Sequence, residues 1–147
     1  METIYPYANI IHLILAIMFL GYVFTDLAVI STLKGKFDKE TQQKINKTLG
    51  GTSFKIFPLT LLFLVLTGGM MMSRYINSDA GFFETNLQKI LVFKIILVLI
   101  IALGVASNLY KKITGGTKSK FMQNHFHELV IILGFFIVLA AKMMFLA

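Results

Sequence analysis

The chain contains no cysteine, and this absence excludes several kinds of site. Disulfide bonds, iron–sulfur clusters, thiolate-bound metals and covalently attached c-type haem all require cysteine sulfur. Charge is also scarce, since 14% of the residues are charged against about a quarter in soluble domains. The sequence has neither a low-complexity segment nor a repeat typical of inverted-repeat transporters. These features predict one apolar domain over residues 1–147.

What the sequence does have is long apolar runs, which make 56% of its residues hydrophobic. We predict helices at about 7–30, 54–73, 88–110 and 126–146. Each is long enough to cross about 30 Å of hydrocarbon. The first run has neither a basic leader nor a cleavage site, so we expect a retained span and not a signal peptide. The predicted fold class is an all-α, integral membrane four-helix bundle in contact with the lipid bilayer.

The basic residues lie mainly in two loops. The chain has 14 lysines and arginines against 7 acidic residues, and the lysines cluster in residues 31–53 and 111–124. We interpret these clusters as signals of membrane topology and contacts with anionic lipid, and we expect no nucleic-acid partner. The positive-inside rule then puts both loops in the cytoplasm and both termini on the periplasmic side of a bacterial inner membrane.

Three ionisable residues interrupt the apolar runs at one depth. His12, Lys94 and Lys142 each lie about five residues in from the same side of the predicted membrane. An ionisable group inside a span costs several kcal/mol unless it faces a partner, a cavity or a ligand. The three residues therefore predict a shared buried site.

Polar residues also pair along the helices at a spacing of fourteen, which is close to four helical turns and keeps both residues on one face. We predict that these three faces turn toward the bundle interior, because intramembrane polar groups do so. The pairs are His12 with Asp26, Lys94 with Asn108, and Glu128 with Lys142. The residues between them are Ala16, Phe19 and Val23, then Val98, Ile101 and Val105, then Ile132, Phe135 and Leu139.

The outer layer predicts an anionic ligand. It contains His12, Lys94 and Lys142, with Arg74 at its rim, and no carboxylate inside the membrane. A neutral imidazole is a good axial ligand for haem iron, and the propionates of haem b would suit Lys94, Lys142 or Arg74. The alternative is that both lysines extend to the interface and His12 bonds a backbone carbonyl.

The methionine runs allow a second metal hypothesis. Residues 70–72 and 143–144 are methionines near the same side, and their thioethers together with His12 could bind Cu(I). Methionine is also common filler in apolar packing.

In the inner layer, Asp26 could pair with Lys55 or with a histidine. His125 and His127 are two residues apart and therefore point in different directions on a regular helix. These residues form either a salt-bridge layer or, with a non-helical start to the fourth span, a metal site.

Around these residues the chain resembles the HemJ-type protoporphyrinogen IX oxidase family and, more loosely, the CopD-type copper-resistance membrane domain. The similar segments are A-N-I-I-H-L-I-L-A-I-M-F-L-G with His12, F-P-L-T-L-L-F-L-V-L-T-G-G with Pro58 and Gly68, L-Q-K-I-L-V-F-K-I-I-L-V-L with Lys94, and H-E-L-V-I-I-L followed by A-A-K-M-M-F with Glu128 and Lys142. The chain departs from the family where Y-V-F-T-D-L follows Gly21 without an arginine. It also lacks a histidine late in the third helix.

The resemblance implies a haem b protein that oxidises protoporphyrinogen IX in the bacterial inner membrane. His12 would ligate the haem iron, and Lys94 would bind a porphyrin carboxylate or handle a proton. A quinone is the expected electron acceptor, and a homodimer would help four short helices to enclose a porphyrin. The competing hypotheses are copper binding or transport, and an accessory subunit whose polar layer fixes helix packing.

Overall fold

The computed structural model describes residues 3–116 and 125–146, and these residues fold into α-helices joined by short connections. The helices are α1 (Tyr5–Ala28), a 3₁₀ turn (Ile30–Leu33), α2 (Lys39–Met72), α3 (Asn86–Thr114) and α4 (Phe126–Met143). All four α-helices are long and apolar enough to cross a membrane. The predicted all-α class with four spans is therefore confirmed.

The second helix differs most from its prediction, because it is one continuous helix of 34 residues that includes the polar stretch before the span. It begins at the Asp38 cap, whose carboxylate accepts a hydrogen bond from the Thr41 backbone N–H at 3.3 Å. Hydrogen bonds from Thr41 lower the pKa of the Asp38 carboxyl. Pro58 consequently lies deep inside α2 rather than in its first turns, and the Phe54 carbonyl loses its usual intrahelical donor there.

The start of α3 is fixed by a capping box. The Thr85 side chain accepts from the backbone N–H of Gln88, and the Gln88 side chain accepts from the backbone N–H of Thr85. The buried Gln88 amide also donates to the carbonyls of Tyr75 and Ala80, both at 2.9 Å. One side chain thus orders the connection between α2 and α3.

Successive helices run antiparallel, and their contacts define two ends of the bundle. α1 packs on α2 and α4, α3 packs closely on α4, and α2 meets α3 less closely. We call the end where α1 begins and α4 ends the termini end. The opposite end, which carries Lys34, Lys39 and Lys112, is the lysine end.

The core lies at mid-depth and toward the lysine end. Val23 and Val130 are fully buried there, and the Phe19 ring stacks on Phe57 with centroids 4.5 Å apart. Gly104 lets α3 and α4 approach each other, since a Cβ at this position would lie 2.5 Å from Cε2 of Phe126. Small residues thus set the spacing of the helices around an aromatic and β-branched core.

Two of the three predicted interior faces are confirmed. The predicted interior residues of both helices are buried or half-buried. They are Ala16, Phe19 and Val23 on α1 and Val98, Ile101 and Val105 on α3.

The predicted face of α4 is wrong. Ile132, Phe135 and Leu139 are 54%, 65% and 43% exposed, because α4 instead turns Gly134 and Ala140 toward its neighbours, where small residues permit close packing. The polar residues of this face lie in the first and last turns of α4, where long side chains can reach the membrane surface without a partner inside the bundle.

Candidate functional site

His12 lies in the half of α1 nearer the termini end and points toward α2. Its Nδ1 is 2.8 Å from the hydroxyl oxygen of Thr67. That hydroxyl donates its own proton to the backbone carbonyl of Phe63 at 2.8 Å. In the tautomer that matches this use of the hydroxyl proton, the Thr67 oxygen accepts from the Nδ1–H of His12 and Nε2 keeps a lone pair for a ligand.

Glycine at position 68 allows this contact. A Cβ there would lie 3.2 Å from Cε1 of His12, which is closer than ordinary van der Waals contact. The group that approaches Gly68 is the imidazole ring of His12. The ring is therefore fixed by Thr67 on one edge and by the α2 backbone beside it.

Lys94 lies on α3 in the same half of the bundle as His12, nearer the termini end. The lysine is half-buried on α3. Within residues 3–116 and 125–146 its ammonium group makes no hydrogen bond or ion pair. A partly buried ammonium without a counter-ion is costly inside an apolar bundle. The pair of His12 and Lys94 thus lacks an anion.

The other two predicted ligand-binding cations lie at the rim of the termini end. Lys142 is exposed in the last turn of α4. Arg74 is also exposed, and its guanidinium lies 4.5 Å from the centre of the Tyr5 ring. Neither cation forms a hydrogen bond or ion pair with His12 in the part of the chain that the structure describes. Of the three residues predicted to share a layer, His12 and Lys94 are half-buried and Lys142 is exposed.

The methionines near the termini end differ in burial. Met144 is 5% exposed, whereas Met70 and Met143 are about half exposed. The run at 143–144 thus supplies one inward sulfur, as expected for consecutive residues on a helix. The described residues contain no group of three or more histidine and acidic side chains that could hold a metal ion.

At the lysine end, a hydrogen bond between side chains joins α1 to α4. Nδ1 of His127 lies 2.5 Å from a carboxylate oxygen of Asp26, so the predicted pairing of Asp26 with a histidine is confirmed. His125 instead contacts Glu128 at 3.2 Å on an exposed surface. The two histidines therefore point in different directions, as the helical spacing predicts.

A cavity of about 580 Å³ lies beside the Asp26–His127 pair. Its lining includes Asp26, His127 and Asn108 in the interior and Lys34 and Lys112 at the lysine end. The side-chain oxygen of Asn108 is buried there without a hydrogen-bond partner in the described structure. The sequence predicts that Asn108 faces the bundle interior but not that a cavity lies there, because the lining comes from all four helices.

Comparison with protein-family models, curated proteins and solved structures finds no match for this chain. The fold and the positions of the polar groups therefore carry the functional argument. The fold class is that of a multi-pass membrane protein. Its polar side chains gather in two places, the imidazole and ammonium pair near the termini end and the cavity at the lysine end.

Proposed function

We propose that this protein binds haem b or a related porphyrin through Nε2 of His12. The observation that carries the proposal is the hydrogen-bond chain from His12 to Thr67 to the Phe63 carbonyl. Histidines that ligate metals almost always donate their second ring N–H to a fixed acceptor, which sets the tautomer and orients the ring. The described contacts of His12 have this form.

The donor set near the termini end suits a haem group. A neutral imidazole is a common haem ligand. The Lys94 ammonium has no anionic partner among the described residues, and a haem propionate would supply one. When bound, haem b would provide an iron that can gain and lose one electron. Arg74 and Lys142 lie nearer the rim, where they would contact a second carboxylate only if the ligand reaches the surface.

The chain's own residues would have distinct tasks in this function. Thr67 and Gly68 hold the imidazole in one orientation, and donation from Nδ1 to Thr67 would leave Nε2 for the iron. Lys94 binds a carboxylate within the apolar part of the bundle, where a charge-assisted contact is stronger than in water. We propose oxidation of protoporphyrinogen IX, or electron transfer, as the activity that such a site serves, with a quinone as acceptor.

We also propose an orientation of the bundle in the membrane. Lys34, Lys39 and Lys112 lie at one end of the bundle, and lysine-rich loops remain on the cytoplasmic side of the membrane. The termini end and His12 would then face the periplasm of a bacterium, and a second copy of the chain could complete the iron coordination.

An absorption spectrum of the purified protein tests the function directly. Protein isolated in detergent from haem-replete cells is expected to show a Soret band and to contain iron in a fixed ratio to the chain. Bound copper in a fixed ratio without porphyrin would instead support the copper alternative. Protein with neither a Soret band nor bound metal would overturn the proposal and favour an accessory role.

A further inference from the structure

The cavity at the lysine end has no role in the proposed haem site. It lies between the Asp26–His127 pair and the last turn of α3, on the opposite half of the bundle from His12. A volume of about 580 Å³ is within the range of sites that hold small molecules. The groups that line it define the chemistry of an occupant.

The interior of the cavity includes one amide whose hydrogen bonding is incomplete. Asn108 lines the cavity, and its side-chain oxygen is shielded from solvent with no donor in the described structure, so rotation of the amide would turn this oxygen toward an occupant. The Tyr22 hydroxyl instead shares a hydrogen bond with the Ser53 hydroxyl. A suitable occupant therefore carries a hydroxyl or another donor.

The lysine side of the cavity offers positive charge. Lys34 and Lys112 both line it, and neither has an ion pair within the described residues. The Lys112 ammonium instead lies 3.9 Å from the centre of the Phe54 ring. The carboxylate in the lining, Asp26, is already bound to His127. The occupant is therefore expected to be an anion.

We propose that this cavity binds an anionic phosphate ester whose alcohol carries free hydroxyl groups. The phosphate lies toward Lys34 and Lys112, and a hydroxyl donates to the side-chain oxygen of Asn108. Lysine ammonium groups are common phosphate ligands. The ester could come from the bilayer as a phosphatidylglycerol head group or from water as glycerol phosphate, since both carry the same chemistry.

Titration of the full-length protein with two lipids, followed by native mass spectrometry, tests the proposal. Phosphatidylglycerol and phosphatidylmethanol carry the same single negative charge, but phosphatidylmethanol has no hydroxyl groups. One neutral hydrogen bond should make phosphatidylglycerol bind roughly twofold to tenfold more tightly. Equal binding of the two lipids, or no saturable binding of either, would overturn the proposal without requiring any variant.

Variants locate the site. Asn108→Leu is expected to abolish the preference for phosphatidylglycerol, whereas Asn9→Leu, which alters an exposed asparagine at the termini end, should retain it. Lys112→Gln is expected to weaken binding of both lipids, and Lys47→Gln, outside the cavity lining, should not. A preference that survives Asn108→Leu would contradict the assignment of this cavity.

A competition experiment distinguishes the two sources of the ester. Glycerol 3-phosphate that displaces phosphatidylglycerol at a similar concentration would support the aqueous source. Failure to compete while phosphatidylglycerol still binds selectively would support the lipid source. The experiment does not depend on haem, so its outcome is independent of the function proposed for His12.

Discussion

Protein carrying His12→Ala is expected to lose its haem, with a Soret absorbance per chain no higher than that of nonspecifically bound haem. The substitution removes the iron ligand itself. The loss of affinity should therefore exceed the roughly 10–100-fold effect of removing an outer-shell partner of a metal ligand. Titration of the purified variant with hemin measures this affinity directly.

The chain offers matched controls for this prediction. His127→Ala removes a half-buried histidine at the lysine end and is expected to leave haem affinity nearly unchanged. Thr67→Val keeps the imidazole but removes its acceptor, so hemin affinity should fall about 10–100-fold, and Thr67→Ser should recover most of it. Haem binding that persists in His12→Ala and fails in His127→Ala would place the iron at the lysine end and contradict the proposed site.

Replacement of Asp26 by leucine should destabilise the protein by about 1–3 kcal/mol, the cost of leaving a hydrogen-bonding partner buried without its bond. The pair joins α1 to α4, and both side chains are about two-thirds buried, at 29% exposed for Asp26 and 32% for His127. Residual solvent contact favours the lower part of this range. Thermal unfolding in detergent, followed by circular dichroism, gives the change in stability.

Glu40→Leu is the matched control, because Glu40 pairs with Lys44 at 3.3 Å while both side chains are more than 75% exposed. Exposed pairs of this kind contribute about 0.3–0.5 kcal/mol. The double variant Asp26→Leu with His127→Leu should be less destabilised than the sum of the two single variants, because the two residues act as one pair. A loss of stability in Asp26→Leu no greater than in Glu40→Leu would show that the pair does not join the helices.

The spans and two of the interior faces could be predicted from the sequence because apolar length and helical spacing are local properties. His12 with Asp26, and Lys94 with Asn108, lie fourteen residues apart along helices that also carry buried Phe19 and Ile101 between them. Spacing and burial point to the same face on α1 and α3. The prediction succeeded wherever both signals agreed.

The prediction failed on α4 because helix packing depends on the neighbours of a helix as well as on its own pattern. A Cβ at Gly134 would collide with Leu20 of α1, so this glycine marks the face that approaches α1. Lys142 and Glu128 are thereby placed on the outer surface. Gly134 is the residue of α4 that indicates this contact face in the sequence, since small residues permit close helix packing.

The choice of partner for Asp26 and the presence of the cavity could not be predicted from the sequence. Lys55 and two histidines were all available to Asp26, and only the rotation of α4 selects His127. The cavity arises from side chains contributed by all four helices. Such a space has no signature in any one segment, although Asn108 is a polar residue in an apolar helix that signals an interior requirement.

The two polar regions lie at opposite ends of the bundle and differ in which groups lack a partner. Near the termini end, Nδ1 of His12 is hydrogen-bonded to Thr67, and Lys94 has no anionic partner among the described residues. At the lysine end, the acidic and histidine side chains are already paired, and the cavity needs a donor and an anion instead. A single ligand does not explain both, so the two proposals are tested separately.

The central claim is that Nε2 of His12 binds the haem iron. Nitrogen-15 NMR of the histidine side chains tests it most directly, with spectra recorded in lipid bilayers before and after hemin is added. The account predicts that His12 in the haem-free protein is protonated at Nδ1 and not at Nε2. Hemin should then remove or strongly shift the Nε2 signal of His12 while the signals of His127 persist. A His12 ring protonated at Nε2, or one whose signals do not respond to hemin, would contradict it.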